Sequence, residues 1–268
     1  MLLAVDIGNS HIVLGIFADE TLIANWRLTT RADRTADELW VLVSHLFDDS
    51  HIDIRQIGGV ALSSVVPPLT DTVAEMVQRG LGHDTLRVDT SNAGIAIHYE
   101  NPAEVGADRL VNAVAAHSRY GRPGRPVIVV DFGTATTFDA ISSAGEYLGG
   151  AICPGVEISA DALFQRAARL PRVEVRKPPR LIGRTTVESM QAGLFYGYLA
   201  MLEGIVERMR TELSSEERAV CIATGGLATS VTAETSVIDH VDADLTLTGL
   251  RLVWARNQSD SPRTIDDE

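Results

Sequence analysis

This chain repeats one local pattern. An apolar run, Leu2-Leu3-Ala4-Val5, ends on Asp6, turns through Ile7-Gly8-Asn9-Ser10 and resumes at 11–17; a third extended segment follows at 21–29. The second copy begins at Val127-Ile128-Val129-Val130, ends on Asp131, turns through Phe132-Gly133-Thr134 and continues at 135–141 and 146–151. Short apolar and β-branched runs bounded by Gly, Asp and Asn predict strands joined by tight turns. Each trio then gives way to alternating helices and strands. In the first half, Thr35-Ala36-Asp37-Glu38 has the spacing of a capping box ahead of Leu39, Leu42, Val43 and Leu46 at helical intervals. A strand near 58–64, a helix around 69–80 introduced by Pro67-Pro68, and a short strand near 85–88 complete it. The second half predicts helices around 156–169 and 187–212, a strand at 219–223, and helical segments near 226–232 and 245–256. A supersecondary unit duplicated in this order restricts the chain to an α/β fold with two similar halves. The helix near 107–120 and the segment Gly121-Arg122-Pro123-Gly124-Arg125-Pro126 join them, which sets expected domains at 1–117 and 118–256 and a frayed polar tail at 257–268.

Charge and composition bound the partners. A formal charge of −13 argues against nucleic-acid binding, which leaves a basic footprint, yet one local site can still take a nucleotide. The 23 basic residues are arginines except for Lys177, so a phosphate clamp here relies on backbone amides, arginine or metal. The two cysteines, Cys153 and Cys221, sit in apolar runs without partners at metal-ligand spacing, and read as reduced thiols. The seven histidines form no zinc-like cluster. The opening apolar run is shorter than a signal-peptide core and has no basic leader, and no stretch reaches the length of a membrane span. A cytoplasmic protein with neither nucleic-acid nor membrane partners is the expectation.

Several segments carry chemistry. Glycine in the two Asp-x-Gly turns lets backbone N–H groups approach an anion, and the strand-end aspartate suits a hydrated Mg²⁺, which favours one or two carboxylates plus water and phosphate oxygens. Ordinary hairpins use the same residues, but two such turns at equivalent places favour a phosphate clamp. Ala223-Thr224-Gly225-Gly226-Leu227-Ala228, after a third apolar strand, offers a strand-to-helix turn where backbone can meet a nucleotide; a plain turn is the alternative. Neither a Walker A pattern nor a strand-borne G-x-G-x-x-G occurs. In Asn101-Pro102-Ala103-Glu104-Val105-Gly106-Ala107-Asp108-Arg109, Asp108 is placed to accept a proton from a hydroxyl and Arg109 to pair with a carboxylate. The alternative is an aspartate that complements a helix dipole and a surface ion pair for Arg109. Thr185-Thr186-Val187-Glu188 has capping-box spacing, and a hydroxyl there can also meet a ligand.

In order, these motifs resemble the type III pantothenate kinases of the acetate and sugar kinase, heat-shock-70 and actin superfamily. The resemblance runs from Asp6–Ser10 with Gly15 through Asn101–Arg109, Val130–Thr137, Leu148–Ile152 with Pro154-Gly155, and Thr185–Gly193 to Ala223–Gly226, and so covers nearly the whole chain. It implies a duplicated ribonuclease-H-like (actin-like ATPase) fold, two domains with a nucleotide cleft between them, and ATP-dependent phosphorylation of pantothenate. By the same resemblance, Asp6, Ile7, Gly8, Asn9, Ser10, His11, Ile12 and Val13 cradle the phosphates of ATP–Mg²⁺ together with Thr134, and Asp6 holds Mg²⁺ through water. Tyr99, Gly106, Ala107, Asp108, Arg109 and Thr186 hold pantothenate, with Asp108 as proton acceptor. Asp131 binds a monovalent cation, K⁺ or NH₄⁺, and the working unit is a homodimer. Two departures stand out: Ser10 replaces a frequent threonine, and Arg184-Thr185 replaces a frequent Lys-Asn. A kinase for another small hydroxylated acid and a non-catalytic regulatory paralogue are the rival readings.

Overall fold

The doubled pattern folds as two five-stranded mixed sheets with helices packed on them. The computed structural model describes residues 1–259 and divides into two units, Met1–Ser118 with the chain from Asp244, and Arg119–Ala243.

In the first unit, β1 (Leu2–Ile7), β2 (His11–Ala18) and β3 (Thr21–Thr29) form an antiparallel meander. The strands β4 (Gly59–Ser64) and β5 (Thr85–Arg87) extend the sheet in parallel on the other side of β1, giving the order β3-β2-β1-β4-β5. Strands covered on both faces read as unbroken apolar runs, and β1 is such a strand, whereas the edge strand β3 alternates exposed and half-buried residues. Helices α1 (Ala36–Asp49) and α2 (Pro67–Leu81) close the core over Leu3, Val5, Ile7, Leu14 and Phe47. The capping box is present: the Thr35 hydroxyl accepts from the Glu38 N–H at 3.3 Å, and Glu38 Oε2 accepts from the Thr35 N–H at 2.8 Å. Those bonds from Thr35 hold the Glu38 carboxyl below its ordinary pKa. Thr35→Ala is expected to remove about 1 kcal/mol of stability, read as a lower urea midpoint at unchanged slope. Pro67 and Pro68 occupy the first turn of α2, where the missing N–H groups cost nothing, so the helix starts two residues before the predicted 69.

The second unit repeats the plan. Strands β6 (Val127–Phe132), β7 (Ala135–Ile141) and β8 (Tyr147–Pro154) form the meander, and β9 (Val220–Gly225) and the short β10 (His240–Val241) extend it in parallel. The order β10-β9-β6-β7-β8 matches the first sheet read from its other edge. The register repeats too: Asp6 lies opposite Ser63 on β4, and Asp131 opposite Thr224 on β9. Helices α4 (Val156–Arg166), α5 (Thr186–Leu213) and α6 (Ala228–Thr232) belong to this unit. Its core is built on Ile128, Val130, Phe138, Leu202, Val206 and Cys221. Burial pushes the Cys221 thiol up to about 12, so it is an inert core residue.

One element departs from the order of the chain. Helix α3 (Ala107–Tyr120) agrees with prediction, but α7 (Leu245–Ser259), grouped by sequence order with the second half, packs on β1, β2 and β4 of the first unit. Leu245, Leu247, Leu250 and Val253 are buried there, with Leu247 against Gly15 and Trp254 against Gly59. Along-chain proximity cannot reveal a return crossing made by one helix. The tail expected at 257–268 starts inside α7, and its residues beyond Ser259 lie outside the described residues.

Candidate active site

In the first unit, the first Asp-x-Gly turn sits at the carboxyl ends of the parallel strands β1 and β4. The Ser63 hydroxyl donates to Asp6 Oδ1 at 2.7 Å, and the Val65 N–H donates to the Ile7 carbonyl at 3.0 Å. The turn is closed by the Gly8 N–H on the His11 carbonyl (2.9 Å) and braced by Thr30, whose hydroxyl donates to the Gly8 carbonyl at 2.7 Å and whose N–H donates to the Ser10 carbonyl at 3.0 Å. Asn9, Ser10 and His11 are exposed, whereas the Ile7 and Ile12 side chains are core residues. Within the predicted 6–13 cradle, Ile7 and Ile12 therefore have only backbone to offer a ligand.

The predicted acid/base loop reaches the same end of the sheet. After a single 3₁₀ turn at Pro102–Glu104, the Gly106 carbonyl accepts from the N–H groups of Arg109 (3.1 Å) and Leu110 (3.2 Å), which starts α3. Asp108, in the first turn of α3, folds its carboxylate back: Oδ1 accepts from the Arg109 N–H at 2.8 Å. A Cβ on residue 106 would stand 2.5 Å from that Oδ1 and 3.6 Å from the Val65 side chain, so glycine here makes room for the carboxylate. Val65, whose N–H bonds the Asp6 turn, therefore lies beside Gly106 of the Asp108 loop. Burial raises the Asp108 pKa above the ordinary carboxylate value, opposed by the Arg109 N–H and its guanidinium charge. Arg109 is 7% exposed, which removes the surface ion-pair alternative for it. Tyr99 lies ahead of this loop, partly exposed.

In the second unit, Asp131 ends β6, and the Gly225-Gly226 turn packs directly on it. Gly225 has φ +89°, and a Cβ there would come within 2.5 Å of Asp131 Oδ1 and 2.7 Å of the Phe132 backbone; the Gly226 N–H donates to the Phe132 carbonyl at 3.1 Å. The exposed Thr134 meets the start of α4, where the Gly155 N–H donates to the Thr134 carbonyl at 3.2 Å. One strand along, Thr136 Oγ1 and Tyr198 Oη lie 2.5 Å apart, tying α5 to β7 beside the turn. A cavity of about 490 Å³ opens between α4, α5 and α6, with Tyr198, Leu227, Ser230 and Val231 in its walls. Thr186 is the exposed first residue of α5; Thr185 caps that helix, its hydroxyl accepting from the Glu188 N–H at 3.1 Å.

The structure therefore gathers Asp6–Val13 and Gly106–Arg109 at one end of the first sheet. Asp131, Thr134 and Gly225-Gly226 gather at the corresponding end of the second. Sequence reasoning missed Ser63, Thr30 and Tyr198, which hold these turns; the small polar residues ending β4 were the available signal for Ser63. Among the described residues, no group of three or more His, Cys, Asp and Glu side chains is placed to hold a metal. Single strand-end carboxylates suit an ion that keeps other oxygen ligands, such as Mg²⁺ carried in on phosphates, or a monovalent cation completed by backbone carbonyls.

The profile of the type III pantothenate kinase family matches residues 2–208. A type III pantothenate kinase of Moorella thermoacetica is 53% identical over 258 residues, spanning 96% of this chain and 100% of that protein. One from Myxococcus xanthus is 50% identical over 260 residues, spanning 97% and 100%. Among solved structures, the activator of the 2-hydroxyisocaproyl-CoA dehydratase from Clostridium difficile, with bound ADPNP, matches at a TM-score of 0.56 and 11% identity over 96% of this chain and 95% of that one. At that identity the likeness speaks for the fold, which is that of the actin-like ATPases and sugar kinases.

Proposed function

The chain belongs to the type III pantothenate kinases, and from that premise we infer how its residues carry the reaction: transfer of the γ-phosphoryl group of ATP to pantothenate, in coenzyme A biosynthesis. Phosphoryl transfer asks a protein for positioning and charge stabilisation more than for covalent chemistry. Asp108 takes the proton of the primary hydroxyl as it attacks, which yields 4′-phosphopantothenate and ADP. What supports this role is the Asp108 carboxylate itself: fixed by the Arg109 N–H and sheltered enough for its pKa to rise, in a loop that passes beside Val65 of the Asp6 turn. A base with a raised pKa is a better proton acceptor, provided it is ionised at the working pH.

Arg109 pairs with the pantothenate carboxylate, and Tyr99, Gly106, Ala107 and Thr186 are the further residues we assign to pantothenate. The Asp6–Val13 turn, with Asn9 and Ser10 exposed on it, and Thr134 hold the nucleotide phosphates. Asp6 would hold, through water, the Mg²⁺ carried on ATP, which would supply charge neutralisation for the phosphates. Asp131 would hold a monovalent cation, K⁺ or NH₄⁺, which would supply positive charge for the reaction. No helix among the described residues is long and apolar enough to cross a membrane, and we place the reaction in the cytoplasm. We take the working unit to be a homodimer, as the family resemblance implies.

The test is ADP release from ATP in K⁺ buffer with and without pantothenate. Release that requires pantothenate is the expected result; release indifferent to it, from folded protein that binds ATP, overturns the acceptor. Exchanging K⁺ for Na⁺ is expected to lower the wild-type rate, and Asp131→Asn to lower the rate and abolish the difference between the two cations.

A further inference from the structure

Residues 167–184, between α4 and α5, form no helix or strand. Seven of the chain's 23 basic residues fall in 166–184 against one carboxylate, Glu174, although the protein as a whole carries −13. All seven are exposed. Arg172 pairs with Asp161 at 2.8 Å and Lys177 with Glu234 at 2.5 Å. Arg166, Arg169, Arg176, Arg180 and Arg184 make no side-chain ion pair among the described residues. The segment is nonetheless fastened down. Gln191 Nε2 donates to the Glu174 carbonyl at 3.1 Å, the Tyr196 hydroxyl to the Pro178 carbonyl at 3.4 Å, and the Arg184 N–H to Glu188 Oε2 at 2.8 Å. It is a strap held on α5, with its charges turned outward.

The course of the strap is as telling as its charge. Arg172, Val173, Glu174 and Val175 form one wall of the cavity whose other side carries Leu227, Ser230 and Val231, the residues just after Gly225-Gly226. At its far end it runs into Thr185 and Thr186. An acidic protein repels a nucleoside triphosphate at long range, and a row of unneutralised guanidinium groups on the strap that walls this cavity reverses that field locally. Uncompensated like charges at this density add nothing to folding, so a ligand of opposite charge accounts for them better than stability does.

We propose that the strap 166–184 is an electrostatic guide that draws the reaction's anionic small molecules to the site, the triphosphate of ATP foremost. The proposal rests on the kinase reading, and its test does not depend on pantothenate being the acceptor. Stopped-flow association of a fluorescent ATP analogue is measured for the wild type and for the triple variant Arg169→Gln, Arg176→Gln, Arg180→Gln. Ionic strength is raised with tetramethylammonium chloride at fixed K⁺. The wild-type association rate is expected to fall steeply with ionic strength. The variant starts about ten-fold lower and responds weakly, and the two converge near 1 M, where the screening length is about 3 Å. In turnover, the loss appears in kcat/KM for ATP rather than in kcat, a split that a merely structural role would not give.

Equal salt slopes in the two proteins overturn the proposal. So does a variant that turns monomeric with its association rate intact, which assigns the strap to a second copy. Competition by a short single-stranded DNA at physiological salt overturns it as well, in favour of a nucleic acid. If the salt slopes differ as expected but ADP release ignores pantothenate, the strap stands and the acceptor falls.

Discussion

Asp108→Asn leaves a folded protein whose pantothenate-dependent turnover is expected to fall by about 10²–10⁴-fold, the range for losing a positioned general base. Asparagine keeps the shape and can still accept from the Arg109 N–H, so the loss isolates proton acceptance. The pH dependence follows from the direction of the shift. Burial raises the Asp108 pKa above its ordinary 3.8, so the acidic limb of kcat/KM for pantothenate lies above that value, and the variant has no such limb. The sign for stability is the reverse of that for activity. A folded-state pKa above the unfolded one means that the fold favours the protonated carboxyl. That favourable contribution is complete below 3.8 and is lost as pH rises through the folded value. At neutral pH the variant should therefore unfold at a Tm no lower than the wild type, with any advantage shrinking as pH falls. A variant with unaltered kcat and the same acidic limb would remove Asp108 from the chemistry.

Gly225→Ala is expected to damage both the fold and the cation response. Position 225 has φ +89°, which L side chains rarely adopt, and the new methyl would lie 2.5 Å from Asp131 Oδ1 and 2.7 Å from backbone atoms of Phe132. Strain of this kind, with backbone that cannot step aside, costs on the order of 3 kcal/mol. Relief comes only by moving Asp131 or parting the Gly225-Gly226 turn from β6. Thermal unfolding should show a drop of several degrees. The residual activity should discriminate poorly between K⁺ and Na⁺, as in Asp131→Asn. A variant of wild-type stability and cation preference would mean that the turn does not position Asp131.

Much of this was legible in the sequence because the duplicated unit is written in local signals. The runs ending at Asp6 and Asp131 are buried strands, and such strands need unbroken apolar sequence; Thr35 and Thr185 cap helices through contacts within four residues. Gly8 and Gly133 mark turns by type alone. What stayed hidden depends on long-range contact. Ser63 bonds Asp6 from another strand, Tyr198 reaches Thr136 from a helix 62 residues on, and nothing local distinguishes either from an ordinary polar or aromatic residue. Gly225 reads in the sequence as a turn former, but its tighter constraint is the Asp131 carboxylate packed against it. The arginines of 166–184 are only a composition in the sequence; their shared exposure and anchoring to α5 make the segment a strap.

The central claim is that this chain phosphorylates the primary hydroxyl of pantothenate with Asp108 as base. The most direct measurement is ³¹P NMR of the mixture after incubation with ATP, Mg²⁺, K⁺ and pantothenate. The account predicts a new phosphomonoester signal split into a triplet by an adjacent CH₂, formed by the wild type and nearly absent with Asp108→Asn. A doublet from a secondary ester, or inorganic phosphate alone, would contradict it.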